Sequence, residues 1–377
     1  MRNTILWLIT LIVAVSASPA QASYLTSDYE ETPRQAPPRR IAPPPPAPQN
    51  PMTDLVRRVR VRAPYHYRGL TVFLLEMDGP TDGTGYLSTQ EALAAGMLAV
   101  QEKGSGSVPS LQVENTGKRP VLMLGGELLL GGKQNRVLRE DVLLPPESGP
   151  VEVPVLCIER GRWTRHSAQF ESKRSVAPLT VRGSAQAGRS QDEIWEGVAG
   201  YQRTLNVDSA TQDLQAIHDS EEVRKALADY RDHVQRHCWR DDTVGMVVAR
   251  YGRVVGADLF CNAALFRKHR NRLLDSYALD CIAHGVPRED HELRIVVPSV
   301  LAARHFLERA FRADYSWKPG PGAGRLLSAG GAGVTGSALV YGDVALHACL
   351  FPQEVIIVRP PHPEPPPRPI PVPRPME

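Results

Sequence analysis

The sequence has few cysteines, and their spacing excludes two classes of site. Only 5 occur among 377 residues, and no two are separated by just two residues. Zinc ribbons and thioredoxin-like redox sites need such close pairs, so neither is expected. Because the number is odd, at least one thiol stays free or pairs with another molecule, and one or two disulfides remain open. The cysteines are Cys157, Cys238, Cys261, Cys281 and Cys349.

No charge of one sign dominates, and long hydrophobic runs are missing. Lys and Arg number 44 and Asp and Glu 41, which gives a net charge of +3. No strongly basic surface is therefore expected, and we predict no nucleic-acid partner. After the N-terminal region no apolar run approaches the 18 residues of a membrane-spanning helix, so we expect no integral membrane segment in the mature chain.

The first 22 residues have the pattern of a secretory signal peptide. Arg2 precedes an apolar run over 5–15, and Ala20-Gln21-Ala22 offers a small-x-small cleavage site before Ser23. We therefore expect cleavage after Ala22 and a secreted or periplasmic protein. An uncleaved N-terminal anchor is the alternative.

Proline is abundant, and most of it lies near the two ends of the chain. Of 34 prolines, nine lie in 33–51 and ten in 360–375. Such stretches favour extended, unpacked backbone, which predicts a disordered linker over 23–52 and a disordered tail over 359–377. The tail is either a spacer or a docking segment for a protein partner. Between them we predict one large domain over 53–358, with possible subdomains 53–185 and 186–358.

The order of periodic segments predicts an α+β fold. The N-terminal half is rich in strand patterns, the middle is helical, and the C-terminal part contains β-hairpins. Because strands and helices are segregated and do not alternate, a parallel βαβ sheet is not expected. Strands are predicted near 70–75, 111–114, 120–124 and 151–158, helices near 88–97, 190–201, 209–237, 263–284 and 298–312, and hairpins over 244–260 and 338–351.

The most distinctive segment is GGELLLGGKQNR, residues 125–136. Its glycines permit close approach of the backbone, and Lys133 and Arg136 can supply positive charge to an anion. It is not a P-loop, because Gln134 follows the lysine and the glycine spacing differs. The alternative is two tight turns around a buried strand.

A second candidate segment is CIERGRW, residues 157–163. Glu159 can act as a base or orient an arginine, and Trp163 can stack on a planar ring. The alternative is a surface ion pair beside an ordinary tryptophan.

Two other motifs are weak. Residues 331–336 match GxGxxG but precede a strand pattern where a dinucleotide site needs a helix. His233 and His237 lie one helical turn apart, but neighbouring arginines disfavour a cation. We assign no metal and no cofactor.

These segments, with GRVVGADLF (252–260), SYALD (276–280) and ALVYGDVALHACLFP (338–352), resemble the ARG and rhodanese-phosphatase-superfamily-associated protein domain family. The resemblance covers about residues 68–352. It implies a role near ADP-ribose or NAD-derived metabolites, for a family without an established activity. Matched by position, the family's polar motif residues are Glu127, Lys133, Gln134, Asn135, Arg136, Glu159, Arg162, Trp163 and Asp258.

We therefore expect a domain that binds, and on one alternative hydrolyses, an anionic nucleotide-like (ADP-ribose-like) or sugar-phosphate ligand. Lys133 and Arg136 would hold phosphate, and Trp163 would stack on a ring. Glu127 or Glu159 would be the general base. The competing hypothesis is a non-catalytic periplasmic scaffold that uses its proline-rich ends.

Overall fold

An antiparallel sheet of eight strands forms the centre of the domain. The computed structural model describes residues 50–104, 109–164, 166–284 and 297–355. In spatial order the strands are β1 (Arg60–Tyr67), β2 (Leu70–Glu76), β11 (Thr243–Arg250), β12 (Arg253–Phe260), β16 (Val344–Pro352), β15 (Val334–Tyr341), β14 (Arg325–Gly330) and β13 (Asp314–Pro319). Because β2 pairs with β11, the sheet spans both predicted subdomains.

Both faces of the middle strands of this sheet are buried, whereas the edge strands β1 and β13 are partly or fully exposed. Along β2, Leu70, Val72 and Leu74 belong to one hydrophobic core, whereas Phe73 and Leu75 belong to another. Alternate side chains of a strand point to opposite faces, so a continuous apolar run is what a strand covered on both sides requires.

Helices cover the two faces. The core that contains Phe73 is closed by α1 (Pro51–Arg58) and α8 (Val300–Glu308), followed by a 3-10 helix over Arg309–Arg312. The other core, which contains Leu70, is covered by α3 (Leu179–Gln186), α4 (Gln191–Leu205), α5 (Gln215–Asp219), α6 (Glu221–His237) and α7 (Ala263–His284).

Two smaller sheets enclose a third core. The five-stranded sheet has the order β4 (Leu98–Glu102), β5 (Ser110–Asn115), β10 (Gly149–Cys157), β8 (Arg136–Leu138) and β7 (Leu128–Leu129). The three-stranded sheet contains β3 (Leu87–Ser88), β6 (Val121–Met123) and β9 (Val142–Leu144). The helix α2 (Thr89–Ala94) contributes Ala92 to this core.

The α+β class and the strand-rich N-terminal half predicted from the sequence are confirmed. Ser88 and Ser190 cap α2 and α4 with the expected capping boxes. The predicted helix over 209–237 is wrong in two respects, because the first helix, α5, begins only at Gln215 and the rest is divided into α5 and α6. Ser220 between them has extended backbone, with φ −58° and ψ 130°.

Residues 331–333 form the turn between β14 and β15, and 334–336 are the first residues of β15, so this motif does not lead into a helix. All five cysteines are buried free thiols. None of the helices in the described residues is long and apolar enough to span a membrane. The predicted signal peptide, the linker up to residue 49 and the proline-rich tail lie outside the described residues.

Candidate functional site

The two distinctive sequence segments meet in space. β8 pairs with β10 so that Arg136 lies opposite Cys157. Beyond the end of this pairing, the Gln134 side chain donates to the carbonyl of Glu159 at 2.9 Å. The backbone N–H of Asn135 donates to the Glu159 carboxylate at 3.0 Å. Segments 125–136 and 157–163 therefore build one site.

Glu159 is the centre of that site. Arg162 holds it with two charge-assisted hydrogen bonds, of 2.8 Å to Oε1 and 2.6 Å to Oε2. The Thr211 hydroxyl adds a third, at 3.0 Å. Burial favours a higher pKa, but the hydrogen bonds from Arg162, Asn135 and Thr211 outweigh it and hold the pKa of Glu159 below its usual value. Glu159 is thus an ionised group whose oxygens are occupied.

A cavity of about 590 Å³, here called the motif cavity, opens beside Asn135. The Asn135 amide donates to Asp213 Oδ2 at 2.9 Å. Burial raises the pKa of Asp213. Four carboxylates line the motif cavity, but only two Lys or Arg residues of the described chain do, Arg162 and Lys173. Acidic residues are therefore in excess in this cavity. The carboxylates are Glu159, Glu171, Asp213 and Asp219.

Four other predicted residues lie around the motif cavity but do not line it. Trp163 is 52% exposed, and the Lys133 ammonium lies 5.1 Å from the centre of its ring. Gln134 is buried and accepts from Arg136 Nη1 at 3.0 Å. Arg136 is fully buried, and in the described part of the chain its Nε and Nη2 have no partner. Burial lowers the pKa of Arg136.

Glu127 points away from the motif cavity and into the protein. It accepts from the backbone N–H of Leu124 at 3.1 Å and forms a 2.8 Å ion pair with Arg272 of α7. His269 lies 4.0 Å away and bonds to Arg272. Burial raises the pKa of Glu127, although the charge of Arg272 opposes it.

Arg272 also lines a second cavity, of about 620 Å³. We call it the cationic cavity, because seven Lys or Arg residues line it against two aspartates, Asp219 and Asp275. It adjoins the motif cavity, since Lys173, Gln215 and Asp219 line both. Its basic residues are Lys173, Arg174, Arg224, Arg231, Arg267, Lys268 and Arg272.

Ion pairs neutralise only part of this charge. The Arg231–Asp275 pair measures 2.7 Å and the Lys173–Asp219 pair 3.1 Å. Three more of the basic residues pair with carboxylates that do not line the cavity: Arg267 with Asp241, Lys268 with Glu91 and Arg272 with Glu127. Among the described residues, Arg174 and Arg224 have no ion-pair partner. Arg174 also has a φ of 68°, an uncommon left-handed conformation for a non-glycine residue. Such backbone strain concentrates at functional sites.

Four buried polar atoms of this cavity's residues have no hydrogen-bond partner within the described residues. They are Nε of Arg272, Nε2 of His218, Oε1 of Gln215 and Oδ1 of Asp275. His218 also hydrogen-bonds to the backbone of Val176, and burial lowers its pKa to about 4. It is therefore neutral at pH 7. Buried polar groups without partners are rare in proteins and mark places that a ligand or water can satisfy.

Asp258 belongs to a separate buried network that lines neither cavity. It accepts from Arg182 at 2.9 Å, Tyr277 at 2.7 Å and His347 Nε2 at 3.2 Å. His347 Nδ1 lies 2.7 Å from Asp141. Burial alone would raise the pKa of Asp258 and lower that of His347, but their partners reverse both shifts, to about 2 and about 9. The structure therefore does not bring Asp258 to the other predicted site residues.

The described residues contain no group of three or more His, Cys, Asp or Glu side chains that could hold a metal. His233 stacks on Tyr67 with ring centroids 3.9 Å apart, and His237 stacks on Tyr65 at 5.6 Å. Both histidines of the predicted helical pair are thus held by aromatic contacts.

A family model described as the ARG and Rhodanese-Phosphatase-superfamily-associated Protein domain matches residues 58–351, more than half of the chain. The chain belongs to this family. The match confirms the resemblance stated for residues 68–352, and it covers both cavities and the buried Asp258 network. No curated protein and no solved structure matches the chain.

The sequence patterns do not predict the cationic cavity of this family member. Its basic residues come from the loop before α3 and from α6 and α7. In the sequence, each of them has the pattern of an ordinary charge on a solvated loop or helix face. One signal was available: α7 contains the run Arg267-Lys268-His269-Arg270 followed by Arg272, an unusual density of positive charge.

Proposed function

We propose that this domain binds a small phosphorylated ligand in the cationic cavity. The observation that carries the proposal is that seven basic residues and only two aspartates line one cavity of about 620 Å³, and that two of the seven, Arg174 and Arg224, form no ion pair within the described residues. Cavities lined by one sign of charge concentrate oppositely charged ligands, and arginine forms strong hydrogen bonds with phosphate oxygens.

Two features support the assignment. The buried Arg272 has an unpartnered Nε donor, and a phosphate oxygen would satisfy it. Arg174 and Arg224 lack an ion pair in the described part of the chain, so their charges are available to a ligand. The family's description, which names an association with a phosphatase superfamily, agrees with a phosphorylated ligand.

In this proposal Glu159 is a positioning residue. Its oxygens accept from Asn135, Arg162 and Thr211, so it holds the motif segments together and is poorly placed to take a proton from a substrate. Binding is thus the function that the geometry supports best, and we propose no hydrolytic step.

Isothermal titration calorimetry with pyrophosphate tests the proposal. The double variant Arg174→Ala/Arg224→Ala removes two exposed charges without leaving an acid unpaired, so the fold should survive. We expect the double variant to bind pyrophosphate about tenfold or more weakly than the wild type does. In the wild type, the affinity for pyrophosphate should fall as the salt concentration rises. Arg304→Ala on α8, across the large sheet, is the matched control and should bind as the wild type does. Unchanged binding by the double variant would exclude the cavity.

We also propose that the chain is exported, on the signal-peptide pattern of residues 1–22. Mass spectrometry of the protein from a cell-envelope fraction should show a mature chain that begins at Ser23. A chain that keeps Met1 in the cytosolic fraction would contradict this. The scaffold hypothesis stays a prediction, because its proline-rich tail lies outside the described residues.

A further inference from the structure

The cationic cavity and the motif cavity adjoin each other. Lys173, Gln215 and Asp219 line both cavities. At this boundary, the Lys173 ammonium pairs with Asp219 at 3.1 Å, and the Gln215 amide donates to the other oxygen of Asp219 at 2.9 Å. A ligand that extends across these three side chains would contact both cavities.

The cationic cavity and the motif cavity have opposite charge. Seven basic residues surround the cationic cavity, whereas four carboxylates face two basic residues in the motif cavity. The carboxylates of the motif cavity repel a phosphate group. Because carboxylates accept hydrogen bonds from hydroxyl groups, neutral hydroxylated groups suit this cavity.

Two residues carry a buried acceptor that has no partner among the described residues: Gln215, which lines both cavities, and His218, which lines the cationic cavity. Gln215 Oε1 is unpartnered in the described residues, and its orientation is fixed because the amide nitrogen donates to Asp219. His218 Nε2 is likewise unpartnered and, in the neutral ring, accepts a hydrogen bond. Fully deprotonated phosphate oxygens cannot donate to either atom, whereas a hydroxyl group can.

We infer that the ligand is a phosphorylated sugar, with its phosphate in the cationic cavity and its hydroxyl groups on Gln215, His218 and the exposed Glu171 carboxylate of the motif cavity. The inference rests on the proposed phosphate site and names the class of molecule that this site takes. The orientation of the ligand follows from the difference in charge between the two cavities.

The test compares three probes by isothermal titration calorimetry on the full chain: orthophosphate, pentyl phosphate and ribose 5-phosphate. Pentyl phosphate has a carbon chain of the same length as ribose but no hydroxyl groups. We expect ribose 5-phosphate to bind at least tenfold more tightly than pentyl phosphate.

Two variants locate the effect. Gln215→Met keeps the side-chain length but removes the acceptor, and Glu171→Ala removes an exposed carboxylate that lines the motif cavity. Each should lose at least about fivefold in affinity for ribose 5-phosphate and less than twofold for orthophosphate. Glu308→Ala on α8 is the control for the loss of an acidic charge and should change neither. Because Glu171 is exposed, its variant stays informative if Gln215→Met fails to fold.

The outcomes separate the two proposals. Equal binding of pentyl phosphate and ribose 5-phosphate would overturn the sugar inference and leave the phosphate site standing. An equal loss of orthophosphate and ribose 5-phosphate affinity in Glu171→Ala would also overturn it. If none of the three probes bound, the phosphate site and the sugar inference would both be wrong.

Discussion

Glu127 Oε1 lies 2.8 Å from Nη2 of Arg272, and this buried ion pair joins the glycine-rich segment to the wall of the cationic cavity. The carboxylate compensates the charge of Arg272 from behind and leaves the Nε donor of that residue without a partner in the described structure. Glu127 thus acts on the cavity through Arg272 and not by direct contact.

The Glu127–Arg272 pair should be a large contributor to stability. Glu127→Gln leaves the Arg272 charge buried without a counter-ion, and we expect the free energy of unfolding to fall by about 3–5 kcal/mol in urea titrations. The double variant Glu127→Gln/Arg272→Met removes both charges and should recover part of that loss. A single variant as stable as the wild type would show that the pair is not ionised in the folded protein.

Gly126 is required where the glycine-rich segment passes Arg182. Its φ is 94°, and an added Cβ would lie 2.5 Å from Arg182 Cγ. We expect Gly126→Ala to lower the free energy of unfolding by about 2–4 kcal/mol, from the left-handed backbone and the overlap together.

Gly188→Ala is the matched control for Gly126→Ala. Its φ is 73°, and nothing lies within 4 Å of an added Cβ. It should lose only about 1–2 kcal/mol, the cost of the backbone conformation alone. Equal losses in the two variants would show that contact with Arg182 is unimportant.

The buried His347 predicts how stability depends on pH. Its pKa is raised to about 9 because Asp141 and Asp258 outweigh the effect of burial. A raised pKa gives stability that is complete below about pH 6.5 and is lost as the pH rises through 9. The pKa of Asp258 is lowered to about 2, so its contribution is lost only in strong acid.

Urea unfolding from pH 6 to pH 9.5 tests this dependence. The wild type should lose about 2–3 kcal/mol more than His347→Gln over that range. His305→Gln, an exposed position on α8, should keep the wild-type profile. Parallel profiles for the wild type and His347→Gln would mean that His347 is neutral in the fold.

Local sequence patterns predict much of the fold. A few neighbouring residues are enough to predict the capping boxes at Ser88 and Ser190 and the buried strand β2 with its continuous apolar run. The apolar run between the glycines of segment 125–136 contains β7, so a strand there could be predicted. The strands β8 and β9 contain three residues each, and partners elsewhere in the chain determine their pairing. Local sequence patterns do not predict strands of this kind.

The site follows the same division. The segments 125–136 and 157–163 are recognisable from composition, because glycines beside long polar groups are hard to explain by core formation alone. Their partners are not. Arg272 and Asp213 reach Glu127 and Asn135 only through the tertiary fold, and each looks like an ordinary charge on a helix or loop. The cationic cavity gathers charges from three separate segments, so no window of sequence contains it.

A crystal structure of the protein soaked with tungstate, a heavy-atom analogue of phosphate, would show directly whether the cationic cavity binds an oxyanion. We expect an anomalous peak for tungsten in the cationic cavity, with an oxygen of the anion within hydrogen-bond distance of Arg272 Nε. The proposed phosphate site would be contradicted if the peak were confined to other surfaces and the cationic cavity stayed empty, at a tungstate concentration that saturates binding in solution.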